Sequence, residues 1–264
     1  MTNRICHYLE GKGCRCTALT KQDGSILKED AIPGDVCCMI VIGGDGTMLQ
    51  AAWDTKRLDI PLIGVNRGTL GYMTEIEPSD LENALDKLIS GDYTSEKRMM
   101  LHGRVQWNSG DVQSDWALND IVISRKGSLQ IHKLEVYVNG QFLNEYNADG
   151  IIVSTPTGST GYSLSAGGPI VEPKARLIML TPICPHTLNA RSIILSPEDE
   201  VVIQVPADRN GQEQVVEASF DGTHMVSMRT GEKIRIVASE KTTEIIQINK
   251  VSFLDVLHKK MSEH

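Results

Sequence analysis

No apolar stretch in the chain approaches the roughly 20 residues that cross a bilayer as a helix. The longest runs only over residues 37–42, and the first residues lack the charged, apolar and small-residue blocks of a secretory signal. A cytoplasmic protein without a membrane partner is therefore expected. Dense runs of Lys and Arg are also missing, and the formal net charge of -8 repels a phosphate backbone at long range, which argues against nucleic acid as a partner. None of the six cysteines stands in C-x-x-C spacing or at a matching interval to a His, so no zinc pattern is present and no metal-ligating residues are assigned. Reduced structural thiols are expected, with Cys37 and Cys38 as small hydrophobes inside an apolar strand-like run. Long polar linkers and internal repeats are absent as well.

What remains is an ordinary globular composition. Of 264 residues, 41% are apolar and 23% charged, enough for two domains with real cores. Residues 38–42 (CMIVI) and 60–66 (IPLIGVN) read as short buried strands with a helix-length stretch, 47–57, between them, which makes a βαβ unit and a parallel sheet. Ser79 and Glu82 form an S-x-x-E capping box, and Leu81, Ala84, Leu85, Leu88 and Ile89 follow at helical spacing until Gly91. Past about residue 93 the rhythm turns to alternating segments, 134–138, 201–205, 233–237 and 244–248, separated by turn signals such as Asn139-Gly140 and Asp221-Gly222. The expected organisation is an α/β fold: residues 1–92 as an N-terminal α/β domain to which the segment 250–264 returns as a helix, and 93–249 as a β-rich domain.

With an acidic chain, an anionic ligand has to be captured by local devices such as backbone N–H groups, a helix N-terminus or a bound cation. Gly43-Gly44-Asp45-Gly46-Thr47 sits where a strand ends and a helix begins, the position at which open α/β sheets bind ligands. Its glycines allow a phosphate to approach the backbone, and Asp45 places a carboxylate in the cradle. It is neither G-x-G-x-x-G nor a Walker loop. Read alone, it fits an ordinary tight turn with Asp45 as helix cap equally well. Asn119-Asp120, ahead of the apolar 121–123, can donate to one ligand hydroxyl and accept from another, although a plain turn explains it too. Residues 149–169 (DGIIVSTPTGSTGYSLSAGGP) crowd hydroxyls and glycines onto one segment. It reads as an ordered loop running into a helix, suited to a polar ligand with a ring held against Tyr162.

These three segments, in this order, resemble the NAD kinase family. The likeness extends to Leu62-Ile63-Gly64-Val65-Asn66, to Gly68-Thr69-Leu70-Gly71-Tyr72, to Pro185-His186-Thr187-Leu188 and to Ser219-Phe220-Asp221-Gly222. GGDGT alone is shared with diacylglycerol and sphingosine kinases, whereas the third segment is long and unusual. The resemblance implies a Rossmann-like α/β domain followed by a β-sandwich domain that binds NAD, and a homodimer or homotetramer. The activity it implies is transfer of the terminal phosphoryl group of ATP or polyphosphate to the adenosine-ribose 2'-hydroxyl of NAD, with Mg²⁺ or Mn²⁺. It implies Asp45 as catalytic base with Gly46 beside it, and Asn119 and Asp120 on the nicotinamide-side ribose or nearby groups. Asp149 would reach a neighbouring subunit's ligand, and Thr160, Gly161, Tyr162, Ser163, Leu164 and Ser165 would line the adenosine site.

Three departures stand out. The family pattern opens with a strand and turn, and residues 1–10 already look like its first helix. Gly161 stands where the family often has Ala, and Asn147 where a basic residue is common. His102, His132, His186 and His224 form no ligand spacing and read as packed or surface residues. A diacylglycerol-type lipid kinase would explain GGDGT but not the third segment. A catalytically silent dinucleotide sensor would leave the intact Asp45 unexplained.

Overall fold

The computed structural model describes residues 1–19, 31–68, 71–127, 132–187, 190–208, 210–249 and 251–262. Thr69, Leu70 and Leu188 of the segments above lie outside the described residues. Two compact units form, Met1–Lys97 with Thr243–His264, and Arg98–Thr242. The chain starts with α1 (Thr2–Gly11), β1 (Met39–Ile42), α2 (Asp45–Asp54), β2 (Leu62–Val65) and α3 (Leu81–Ser90). It passes from the first unit to the second along β3 (Thr94–Gln106). There follow β4 (Val112–Ala117), β5 (Asp120–Arg125), β6 (His132–Val138), β7 (Gln141–Ala148) and β8 (Gly150–Ser154). A 3-10 turn (Thr157–Thr160) and the short helix α4 (Tyr162–Ser165) precede β9 (Ile178–Ile183), β10 (Ile193–Leu195), β11 (Val201–Gln204), β12 (Val215–Phe220) and β13 (His224–Arg229). The return path is β14 (Lys233–Gln247), followed by α5 (Phe253–Ser262).

In the first unit β1 and β2 run parallel, registered from Met39 against Leu62 to Ile42 against Val65, with α2 as the crossover. The end of β14 joins β2 in parallel through Ile245 and Leu62. All four residues of β2 are buried, as the continuous apolar run 62–65 requires of a strand covered on both faces. Ile5, Ile63, Val65, Leu81, Leu85 and Ile246 share one core, each worth about 1.5–3 kcal/mol of apolar burial. Two local expectations differ from the structure. Asp80, not Ser79, caps α3, and no side chain bonds its first N–H groups; Glu82 is engaged by Arg4 at 2.7 Å instead. At the other end the helix stops as expected, with Gly91 left-handed and N–H bonds from Gly91 to Leu88 (3.3 Å) and Asp92 to Lys87 (2.9 Å). Cys37 lies outside β1 and is exposed.

The second unit is a β-sandwich in composition. One sheet has the order β10-β9-β8-β5-β12-β13 with every pair antiparallel. The other strands of the unit place β11 between β6 and the start of β14, with β7 outside β6, and β3 pairs with β4 as a hairpin. Inward residues from both sets, among them Leu101, Ile123, Val136, Val153, Leu180, Ile203 and Phe220, form one core. Residues 233–237 and 244–248, expected as separate strands, are the two ends of β14. The intervening 238–243 (ASEKTT) holds no Gly, Pro, Asn or Asp, so nothing interrupts the extended backbone.

Candidate active site

Asp45 is the first residue of α2, with Gly44 as N-cap, directly beyond the end of β1. Its side chain turns onto the segment that follows β2. Oδ2 accepts the backbone N–H of Tyr72 at 2.8 Å and Oδ1 that of Met73 at 2.9 Å. Gly71 makes this possible, because a Cβ there would stand 2.1 Å from Oδ1 of Asp45 and 2.7 Å from Oγ1 of Thr74. That Thr74 hydroxyl is buried without a hydrogen-bond partner among the described residues. The segment itself is pinned to β2: a Cβ on Gly64 would meet the Met73 carbonyl at 2.9 Å, and Asn66 donates to Ile76 O at 2.8 Å. Asp45 therefore has a fixed orientation and still has lone pairs to accept a proton from a ligand hydroxyl. Its charge is felt nearby, since burial and then the Asp45 carboxylate push the Tyr72 hydroxyl above its ordinary pKa.

In the second unit Asn119 forms the bend between β4 and β5, and Asp120 is the first residue of β5. The bend is held from two sides. Asp221 accepts the backbone N–H groups of Leu118 (2.7 Å), Asn119 (2.8 Å) and Asp120 (3.1 Å), and its own N–H donates to Asp120 O at 3.0 Å. Thr155 donates from N–H to Asn119 O at 2.9 Å and from Oγ1 to Leu118 O at 2.6 Å. Asp221 sits at φ 48 in the tight turn from β12 to β13, a left-handed conformation Asp tolerates better than most residues. Held this way, Asn119 keeps its Oδ1 buried with no partner among the described residues, an acceptor that a ligand N–H or O–H can satisfy. Burial, with the Asp221 charge adding to it, pushes the Asp120 carboxyl up to about 7. Burial also raises Asp221, to about 6, against the three N–H donors that pull it down. Near neutrality Asp120 can both donate and accept.

The 155–161 loop closes over the bend: a Cβ on Gly158 would stand 2.2 Å from Asn119 O, and one on Gly161 would stand 3.4 Å from Asn119 Nδ2. Thr160 ends the 3-10 turn, its Oγ1 3.5 Å from Thr157 O. Tyr162, Leu164 and Ser165 present their side chains outward from α4, with Tyr162 48% exposed. Ser163 points the other way. It is fully buried, 3.3 Å from Thr181 Oγ1, so its hydroxyl holds α4 against β9. Asp149 lies between β7 and β8, half-exposed, paired with Arg125 at 3.2 Å.

The structure thus groups Asn119, Asp120, Gly161 and the turn before α4, and it adds residues the sequence reading did not single out for a site. In the sequence Asp221 is marked only by its Asp-Gly turn and a matched segment, although the carboxylate of such a turn is an acceptor able to take backbone N–H groups. The N–H donors of Tyr72 and Met73 have no side-chain signature. His224 is not isolated: it meets Asp115 at 2.8 Å and Gln113 at 3.1 Å. Among the described residues, no three His, Cys, Asp or Glu side chains converge to hold a metal ion, and no helix is long and apolar enough to cross a membrane.

A carboxylate clamped at a glycine-rich strand end in the first unit, and in the second a buried amide acceptor left without a partner among the described residues, suit a nucleotide-handling α/β protein with a β-rich second unit. Residues 10–93 match the ATP-NAD kinase N-terminal domain and residues 118–248 the ATP-NAD kinase C-terminal domain. The chain belongs to the NAD kinase family. It is 44% identical to the NAD kinase of Lachnospira eligens, across 98% of this chain and 94% of that one. It is 46% identical to that of Agathobacter rectalis, across 100% and 94%. In structure it is similar to an NAD kinase from Archaeoglobus fulgidus solved in complex with ATP, with a TM-score of 0.79 and 27% identity over 98% of this chain and 94% of that one.

Proposed function

We propose that the chain is a NAD kinase that moves the terminal phosphoryl group of ATP, or of polyphosphate, onto the adenosine-ribose 2'-hydroxyl of NAD to give NADP. The observation that carries this reading is the Asp45 carboxylate at the GGDGT strand–helix junction, fixed by two backbone N–H bonds. A ribose hydroxyl is a poor nucleophile, and phosphoryl transfer depends on in-line positioning, charge neutralisation and a group to take the proton. Asp45 is that group, with Gly46 beside it leaving room for the phosphate. Asn119 and Asp120 receive ribose hydroxyls. Tyr162 and the backbone and side chains of Thr160, Gly161, Leu164 and Ser165 line the adenosine, with Ser163 holding their turn in place. The β-rich residues 93–249 serve as the NAD-binding domain.

A divalent cation, Mg²⁺ or Mn²⁺, neutralises the transferring phosphates. Mg²⁺ is commonly bound through substrate phosphates with one or two carboxylates, so the cation is taken to arrive with the nucleotide substrate. The same reading makes the enzyme cytoplasmic, free of membrane and nucleic acid, and a homodimer or homotetramer in which Asp149 reaches a neighbouring subunit's ligand. The test is incubation with NAD, ATP and Mg²⁺, detecting product with a dehydrogenase that accepts only NADP and placing the new phosphate by ³¹P NMR. Phosphate on the adenosine 2'-oxygen supports the reading; NAD binding without product contradicts it.

A further inference from the structure

The segment that clamps Asp45 is itself anchored to the last part of the chain, at two points on either side of the donors. On one side the Glu75 carboxylate, through Oε1, accepts the backbone N–H of Ile248 and, at 3.3 Å, that of Asn249, just past the end of β14. On the other side the Tyr72 ring packs on Phe253 of α5, ring centroids 5.9 Å apart, and lies under the Lys260 ammonium, 5.0 Å from its centroid. The Tyr72 and Met73 N–H groups that hold the two oxygens of Asp45 thus belong to a segment tied down through the ring of Tyr72 at one end and through Glu75 at the other.

We infer that Glu75 is a positioning residue for phosphoryl transfer: by tying the 71–76 segment to residues 248–249 it fixes the two N–H donors that aim the Asp45 carboxylate. The chemistry of the side chain fits the task. A single acceptor oxygen shared by two N–H groups pins a backbone segment without any contact to substrate, and burial of the carboxylate, which is pushed above its ordinary pKa against those same donors, would have no recompense if the bonds were absent. Phe253 does the same from α5 by apolar contact. An error of about 1 Å in the placement of a reacting group is enough to cost on the order of 10²-fold in rate, so a segment anchored this way controls turnover while leaving NAD affinity alone.

The inference rests on the reading of Asp45 as the base of a NAD kinase, and the experiment separates the two. In the full-length protein, kcat for NADP formation, the Kd and stoichiometry for NAD by titration calorimetry, and the melting midpoint are compared for the unaltered chain, Glu75→Ala, Glu75→Gln and Phe253→Ala. Gln keeps an acceptor oxygen for both N–H groups, whereas Ala removes it. Expected is a fall in kcat of about tenfold or more in Glu75→Ala, with NAD stoichiometry unchanged and Kd within about threefold, and recovery of most of that loss in Glu75→Gln. A purely structural role would lower kcat and NAD stoichiometry together, because both would report the folded fraction, and would overturn the inference. So would a Glu75→Ala enzyme with full kcat, or a Gln variant as slow as the Ala variant. If Glu75→Ala does not fold, Phe253→Ala decides: a several-fold lower kcat with NAD binding intact supports the anchor, and an unchanged kcat overturns it. Absence of NADP from the unaltered chain would instead sink the kinase reading itself.

Discussion

A Cβ on Gly71 would lie 2.1 Å from Oδ1 of Asp45, so the smallest side-chain change in that loop acts on the carboxylate proposed as the base. Gly71→Ala must either displace the Asp45 side chain or shift the Tyr72 and Met73 N–H donors. Overpacking of this kind costs about 1–3 kcal/mol, which a two-domain chain of this size survives. The larger effect falls on turnover: kcat drops by about 10- to 100-fold while the KM for NAD changes little. Steady-state kinetics beside a far-ultraviolet circular dichroism melt checks both halves of the statement.

Asp221 ties together three N–H groups of the 118–120 bend. Asp221→Asn replaces one of its oxygens by an NH₂ that faces a donor, leaving at least one buried N–H unpaired at a cost of about 1–3 kcal/mol. The bend that presents Asn119 loosens with it. The melting midpoint falls and the KM for NAD rises, read from thermal unfolding and from initial rates at varied NAD.

The pH dependence of stability follows from the raised carboxyl of Asp120, at about 7. The folded protein holds this proton more tightly than the unfolded chain, whose Asp titrates near about 4. The contribution to stability is therefore complete below about pH 4 and is lost as pH rises through about 7. Asp120→Asn cannot ionise and escapes that loss. Its melting midpoint relative to the unaltered protein should be higher at pH 8 than at pH 4.5, and an equal difference at both would show that Asp120 does not titrate in this range.

Much of the architecture could be read in advance because it rests on local patterns. The apolar runs around residues 38–42 and 60–66 with a helix between them can pack only as a covered parallel pair, and Gly43 to Thr47 marks the junction where Asp45 lies. The Asn139-Gly140 turn likewise announces the hairpin of β6 and β7. What escaped the sequence is what depends on distant backbone. Asp221 stands 103 residues beyond Leu118, whose N–H it accepts, and the donors to Asp45 are peptide N–H groups 27 and 28 residues away, present at every position alike. Competing partners account for smaller differences: Glu82 pairs with Arg4 rather than completing a capping box, and Ser163, one hydroxyl among many in its segment, turns inward to Thr181.

Whether Asp45 takes the proton from the ribose hydroxyl is tested most directly by comparing Asp45→Asn with the unaltered enzyme. Asn keeps an acceptor for one of the two backbone N–H groups and nearly the same volume; loss of the other bond costs about 1–3 kcal/mol, within what a folded domain tolerates, so the fold and NAD binding by calorimetry should persist. With ATP, Mg²⁺ and saturating NAD, kcat for NADP formation should fall by roughly 10² to 10⁴. A variant that binds NAD and turns over at the unaltered rate would contradict the account, because the proton would then be leaving by another route.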